Sequence, residues 1–328
     1  MLPHRDLIEH PLTRAEFTEA QRVIGDVITP TPQIHWPLLS QRSGSEVWIK
    51  HENHLPTGAF KVRGGLWLIH QLMSAAQPPA GIVAATRGNH GQSLAFAGAR
   101  VSLPAVIVVP HGNNPEKNEA MKALGAELVE HGEDFDAALT HAQALAKERN
   151  LFSVPSFHPT LVQGVGTYGC ELLEAVPELD AVYVPIGLGS GICGMMAARR
   201  ALGLNTEIIG VVSSHADAYA QSFECGSPVT TDSANTLADG LAVRTPSSEA
   251  LRYLINGVSR IVRVNDEEVK RAVRALLEDT HNLAEGAGAA AVAAVLQERE
   301  RYAGKRVAAV LSGGNLATSV LRDTLVPA

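Results

Sequence analysis

Apolar residues along this chain gather in short unbroken runs, separated by longer stretches in which they recur every three or four positions. The runs are EVWIK (46–50), GIVAA (81–85), AVIVV (105–109), AELVE (126–130), AVYVP (181–185), EIIGVV (207–212), SRIVRV (259–264) and RVAAVL (306–311). Runs this short, rich in β-branched residues, predict strands covered on both faces, as in parallel sheets. The intervening stretches predict helices. Thr13 with Glu16 forms a capping box ahead of Phe17, Val23, Ile24, Val27 and Ile28, which fall near one helical face, and Pro30 and Pro32 close that stretch. Pro115 to Leu124 reads as a helix ended by Gly125, and Asn265 with Glu268 caps another after SRIVRV. The expected fold is α/β, with two open parallel-sheet domains and helices on both faces of each sheet. The smaller domain is expected over residues 51–150 and the larger over 1–50 plus 151–328.

Composition narrows the function. The 328 residues are 45% hydrophobic and 19% charged, with a formal net charge of −7. Such an acidic balance carries no basic stripe to neutralise phosphates, so nucleic acid is not an expected partner. No run approaches the ~20 apolar residues of a membrane helix, and the charged start MLPHRDLIEH is unlike a signal peptide. Cys170, Cys193 and Cys225 are odd in number and lack metal-type spacing, which suggests buried thiols in a reducing cytoplasm.

Three predicted strands run directly into glycine-rich turns that open helices: VAATRGNHG (83–91), VPIGLGSGICG (184–194) and VLSGGNLA (310–317). Ligands of open α/β sheets bind at such turns, where helix N-termini offer free N–H groups to an anion. In GLGSG, Gly187, Gly189 and Gly191 leave amides uncovered and Ser190 adds a hydroxyl, which suits a phosphate. A dinucleotide site wants an acid about 20 residues further on, but EIIGVV ends at Ser213-Ser214. A tight turn that merely packs a helix on the sheet is the plain alternative. Lys61, in HLPTGAFKVRGG (54–65), stands at a predicted helix head with glycines on both sides, as if a ligand must approach the backbone there. A phosphorylated aldehyde that condenses with a lysine, pyridoxal 5'-phosphate, meets both requirements. HENH (51–54) spaces its histidines three apart, not four, and gives no zinc motif.

HENHLPTGAFKVRGG resembles the cofactor-lysine segment of the threonine and serine dehydratases and serine racemases, pyridoxal-phosphate enzymes of the tryptophan-synthase β-like fold (fold type II). The likeness continues in order through TRGNHGQS, PIGLGSGICG, TLADGLAV, EGAGAAA and SGGN, nearly the whole chain. It implies a cofactor held between two domains, commonly in a homodimer, and β-elimination from a small β-hydroxy-α-amino acid of the L-threonine or L-serine type to a 2-oxo acid and ammonia. By this resemblance Lys61 joins the cofactor and acts as base at Cα, Phe60 packs beside the ring, and Asn89 bonds its phenolic oxygen. Gly187, Leu188, Gly189, Ser190 and Gly191 cradle the phosphate, Ser312 faces the pyridine nitrogen, and Gly240 and Glu285 line the ring edge. Thr86, Arg87, Gly88 and His90 lie on the turn that meets the substrate carboxylate.

The sequence also departs from the family. Arg87 stands where racemases carry a serine that reprotonates Cα, and a permanently charged guanidinium cannot do that. It could instead meet a second substrate carboxylate, as in 3-hydroxyaspartate, or stack on the ring of phenylserine, or simply face solvent or a neighbouring acid. The positions matching a divalent-cation site are Val212 and Ala218, which have no side-chain oxygen, so no metal is expected; Asp217 alone is a poor substitute. GLGSG replaces four consecutive glycines. The chain ends shortly after SGGN, so feedback control through a C-terminal regulatory domain is not expected. A non-catalytic binding relative is disfavoured because Lys61, Asn89 and Ser312 are all present.

Overall fold

A computed structural model describes residues 2 and 4–326. Its strands are β1 (Gln33–His35), β2 (Glu46–His51), β3 (Ile82–Ala85), β4 (Ala105–Val109), β5 (Glu127–Glu130), β6 (Phe152–Ser153), β7 (Ala181–Pro185), β8 (Glu207–Ser213), β9 (Arg260–Val264) and β10 (Arg306–Leu311). They form a six-stranded sheet in the order β1-β2-β10-β7-β8-β9 and a four-stranded sheet in the order β5-β4-β3-β6. Every predicted run became a strand, and all pairs are parallel except β1 with β2, which is antiparallel. The pattern did not foretell β1 and β6: each is a two- or three-residue edge strand made by its neighbour's free hydrogen-bonding groups.

Both faces of each sheet are covered, which is why the runs lack polar alternation. Val182, Val184, Ile208, Val212 and Val310 pack toward the helices Pro159–Ala175 and Ser190–Ala201. Tyr183, Ile209, Val211 and Ala309 face the helices Asp266–Thr280 and Gly286–Gln297. In the smaller sheet, Ile82, Ala84 and Ile107 pack with the helices Lys61–Met73 and Asn89–Ala99, while Val83, Ala85 and Val106 meet the helix Phe135–Glu148. The domain division into residues 51–150 and residues 1–50 plus 151–328 stays a proposal from the sequence; β6 (Phe152–Ser153) of the four-stranded sheet lies just beyond its boundary.

The caps behave as local chemistry dictates. Thr13 and Asn265 each form a complete capping box with the glutamate three residues on. The first helix stops at Gly25, before the prolines, and buries Phe17, Ala20 and Ile24. One expectation fails: Cys170 and Cys193 are buried, but Cys225 is exposed. It ends the helix Ala218–Cys225 and precedes Gly226 at φ 76°, a reversal that leaves the last side chain in solvent.

Candidate active site

All fifteen residues singled out for cofactor or substrate line one cavity of about 500 Å³: Phe60, Lys61, Thr86, Arg87, Gly88, Asn89, His90, Gly187, Leu188, Gly189, Ser190, Gly191, Gly240, Glu285 and Ser312. The cavity opens where the C-terminal ends of β3, β7 and β10 deliver their turns, as expected for open parallel sheets.

Lys61 is the first residue of the helix Lys61–Met73. The preceding segment is held against the turn after β10: the Phe60 amide donates to the Ser312 carbonyl at 3.0 Å, and Ala59 bridges to Gly313. Lys61 Nζ donates to Ser190 Oγ at 3.0 Å and lies 5.0 Å from the Phe60 ring centroid. It has no carboxylate partner among the described residues, and burial alone pushes its amine down from the ordinary 10.5 to about 8. The flanking glycines do not serve the ligand as expected. A Cβ on Gly65 would lie 2.6 Å from Ser93 Oγ, and one on Gly64 would press Val165 and the Leu161 carbonyl. They let this helix pack closely on the helices Asn89–Ala99 and Pro159–Ala175. Gly58 is demanded by a left-handed turn at φ +67°.

The turn after β7 is a cradle of unengaged donors. The amides of Gly187, Leu188, Gly189, Ser190 and Gly191 have no backbone acceptor, and no side chain caps the helix Ser190–Ala201 that they open. Gly189 adopts φ +103°, and a Cβ on Gly187 would lie 2.5 Å from the Gly240 carbonyl oxygen. That contact is Gly240's role in the fold. The Leu188 carbonyl is drawn outward by Tyr219, whose hydroxyl donates to it at 2.9 Å and accepts from the Ser247 amide at 3.0 Å. The loop therefore presents amides to the cavity and a carbonyl away from it, so a leucine side chain at 188 is compatible with a cradle built from backbone amides.

Across the cavity, Asn89 opens the helix Asn89–Ala99 and is held from two sides. Its Oδ1 accepts from Asn315 Nδ2 at 2.8 Å, and its Nδ2 donates to Glu285 Oε1 at 2.6 Å, leaving one amide N–H uncommitted. Glu285 Oε2 accepts from Lys117 Nζ at 3.2 Å, and Lys117 also donates to Asp239 at 2.5 Å. Burial raises the Glu285 carboxyl above the usual range, and Lys117 opposes that. Burial likewise disfavours the Lys117 ammonium, but Glu285 and Asp239 outweigh it and hold the group charged. Sequence reasoning missed Lys117, Asp239 and Asn315. The latter two lay inside quoted motifs, TLADGLAV and SGGN; Lys117 left only an inward helical spacing with Met121.

On the turn after β3, Thr86 Oγ1 accepts from the Gly88 amide at 3.0 Å, and a Cβ on Gly88 would lie 2.5 Å from Lys117 Cδ. His90 is buried with its Nε2 unpartnered, and burial together with Lys61 pushes its pKa to about 3, so it faces the cavity as a neutral imidazole. Arg87 is exposed at the mouth and forms no ion pair among the described residues, although its charge helps lower the Asp134 carboxyl, which the Ala137 amide chiefly stabilises. Nearby Arg244 is neutralised by Asp134 and Asp136. At the position considered for a cation, Asp217 is engaged by Arg263 at 2.9 Å and Gln221 at 2.7 Å.

These features fit pyridoxal phosphate: a half-buried amine without a counter-ion among the described residues, a cradle of free amides beside it, an uncommitted Asn89 N–H and the Ser312 hydroxyl on the cavity wall. The comparisons agree. Residues 24–313 match the family model described as pyridoxal-phosphate dependent enzyme. L-threonine ammonia-lyase of Thermotoga maritima is 35% identical over 94% of this chain and 77% of its own. The biosynthetic L-threonine dehydratase of Pasteurella multocida is 33% identical over 95% of this chain but only 62% of its own length. The structure of maize serine racemase superposes with a TM-score of 0.89 at 27% identity, covering 96% of this chain and 97% of that one.

Proposed function

Because the chain belongs to the pyridoxal-phosphate dependent enzymes of fold type II, we propose that it is a dehydratase (ammonia-lyase) of β-hydroxy-α-amino acids. It converts substrates of the L-threonine or L-serine type to a 2-oxo acid and ammonia. The observation that carries this reading is the Lys61 amine, half-buried, without a carboxylate partner among the described residues, and 3.0 Å from Ser190 of the phosphate cradle. The names of the threonine-acting relatives support the choice of reaction. When bound, the cofactor supplies an aldehyde for covalent capture of an amine and a ring that accepts the electron pair from Cα.

The chain's own residues do the rest. The amides of Gly187–Gly191 hold the phosphate at the positive end of a helix. Phe60 covers the ring, with Gly240 and Glu285 along its edge, and Asn89 offers its free N–H to the phenolic oxygen. Ser312 meets the pyridine nitrogen with a neutral hydroxyl, which does not force a proton onto it as a carboxylate would. With that hydroxyl in place of a carboxylate, the site would suit a reaction in which negative charge leaves Cα with the β-hydroxyl. The turn Thr86, Arg87, Gly88, Asn89 and His90 receives the substrate carboxylate. Lys61 would take the Cα proton when its amine is free, and an amine already near 8 is well placed for that. Loss of the β-hydroxyl as water leaves an enamine, whose imine hydrolyses to the 2-oxo acid and ammonia.

Arg87 favours a second reading within this chemistry. It is a cation at the cavity mouth without an ion-pair partner among the described residues, so it can take a second carboxylate, as in 3-hydroxyaspartate, or stack on phenylserine. The same guanidinium stands against racemisation. 2-Oxo acid formation from L-threonine, L-serine, threo-phenylserine and 3-hydroxyaspartate, in wild type and Arg87→Ala, tests both readings. The dehydratase reading expects product from at least one substrate; selective loss with hydroxyaspartate assigns Arg87 to the second carboxylate, and equal loss across the panel rejects that role. No helix among the described residues is long and apolar enough to cross a membrane. A cytoplasmic homodimer is part of this proposal, and light scattering checks the dimer.

A further inference from the structure

Lys117 stands outside the machinery described so far, yet it is the cation closest to Asn89 through bonded partners. It rises from the helix Pro115–Ala123, beside the four-stranded sheet, and passes over Gly88. Its ammonium, almost fully buried, ends between Asp239 and Glu285, both beside the six-stranded sheet. Glu285 is buried too and uses its other oxygen on Asn89 at 2.6 Å. The chain of contacts is therefore Lys117, Glu285 and Asn89, ending at an amide N–H aimed at no protein group.

We propose that Lys117 is a positioning residue for the cofactor: seated on Glu285, it keeps that carboxylate an anion, so that Asn89 is gripped with one N–H left for the phenolic oxygen. The inference rests on the cofactor reading above. Its logic is that of a buried charge. Glu285 faces Lys117 from one helix and Asp239 from the turn Asp239–Leu241, while the turn after β10 brings only the backbone of Gly313 against it. Without Lys117 the sole charged neighbour would be another acid, and burial would drive Glu285 to take up a proton. A neutral carboxyl accepts more weakly than a carboxylate, so Asn89 would lose its grip and the phenolic oxygen its preset donor. Asp239 is one-third exposed and is left solvated.

The test uses Lys117→Met and Lys117→Met with Glu285→Gln, whose amide oxygen can still accept from Asn89 without a buried charge. Pyridoxal phosphate is titrated into each apo protein, the pH midpoint of the bound cofactor's visible band is measured, and thermal unfolding is followed. Lys117→Met is expected to weaken cofactor binding about tenfold, the worth of one charge-assisted hydrogen bond, and to raise the midpoint by about one pH unit. The double variant should recover part of both, because an amide oxygen accepts better than a protonated carboxyl although less well than a carboxylate. If the single variant fails to fold while the double folds and binds, the result also supports the proposal, because the buried carboxyl that has lost its cation is then the defect. A single variant that loses only thermal stability, a double variant as impaired as the single, or failure of both to fold would overturn it and leave Lys117 a structural clamp. Absence of cofactor binding by the wild type would instead count against the cofactor reading itself.

Discussion

Two cations stand two residues apart on one helix, and the fold treats them in opposite ways. Arg63 is fully enclosed and fully answered: it donates to Glu52 at 2.7 and 3.0 Å and to Glu171 at 2.6 and 2.8 Å. Lys50 joins the same cluster through Glu171 at 2.5 Å, and Thr31 and Thr167 take remaining donors. Lys61 is only half-buried, on the cavity wall, and among the described residues it meets only the hydroxyl of Ser190. The balanced cluster ties β2, the helix Lys61–Met73 and the helix Pro159–Ala175 into one frame. The unbalanced amine, held on that frame, is free to react. Pairing is the signature of structure here, and its absence that of chemistry.

The contrast breaks most sharply at Lys61. Lys61→Ala should reduce 2-oxo acid formation by at least about 10³-fold, the scale of a base that is also the covalent anchor, while circular dichroism shows an intact fold. Arg63→Met should do the reverse in kind. It strands Glu52 in the interior, leaving Glu171 with Lys50 alone, and should cost about 3–5 kcal/mol in denaturant unfolding, with lost activity following from the loosened helix. A third effect sharpens the comparison through pH. In the apo chain the Lys61 amine titrates at about 8 instead of 10.5. Between those values the unfolded chain binds the extra proton, so apo stability should rise with pH across that window, by about 3 kcal/mol in all. Lys61→Met should flatten that rise, and Arg63, charged throughout, contributes nothing to it. The smallest effect belongs to the helix that carries both residues: Gly65→Ala places a methyl 2.8 Å from the Ser93 carbonyl oxygen and should cost about 1–3 kcal/mol by thermal unfolding.

Much of this was legible in the sequence because it is local. A strand buried on both faces is an apolar run, a capping box is four residues, and a phosphate cradle is one glycine-rich turn. Those signals located the sheets and brought Lys61, Asn89, the GLGSG loop and Ser312 to one cavity. What escaped was long-range. Lys117 and Glu285 are 168 residues apart, and Arg63 and Glu171 are 108 apart; only the folded topology makes either a pair. The glycines near Lys61 were misread for the same reason. Their need for close approach was visible, but the approaching group proved to be Ser93 on one side and Leu161 with Val165 on the other, not a ligand. The exposure of Cys225 was likewise set by a helix end, not by its residue type.

The central claim is that one amine, kept without a counter-ion beside a row of free amides, is where the cofactor is covalently held. Borohydride reduction of the holoprotein followed by peptide mass analysis tests it directly. A single pyridoxyl adduct on the peptide containing Lys61, absent after Lys61→Ala, is the expected result. An adduct confined to Lys117, Lys50 or a surface lysine, or reduction that leaves no adduct on a protein saturated with cofactor, would contradict the account.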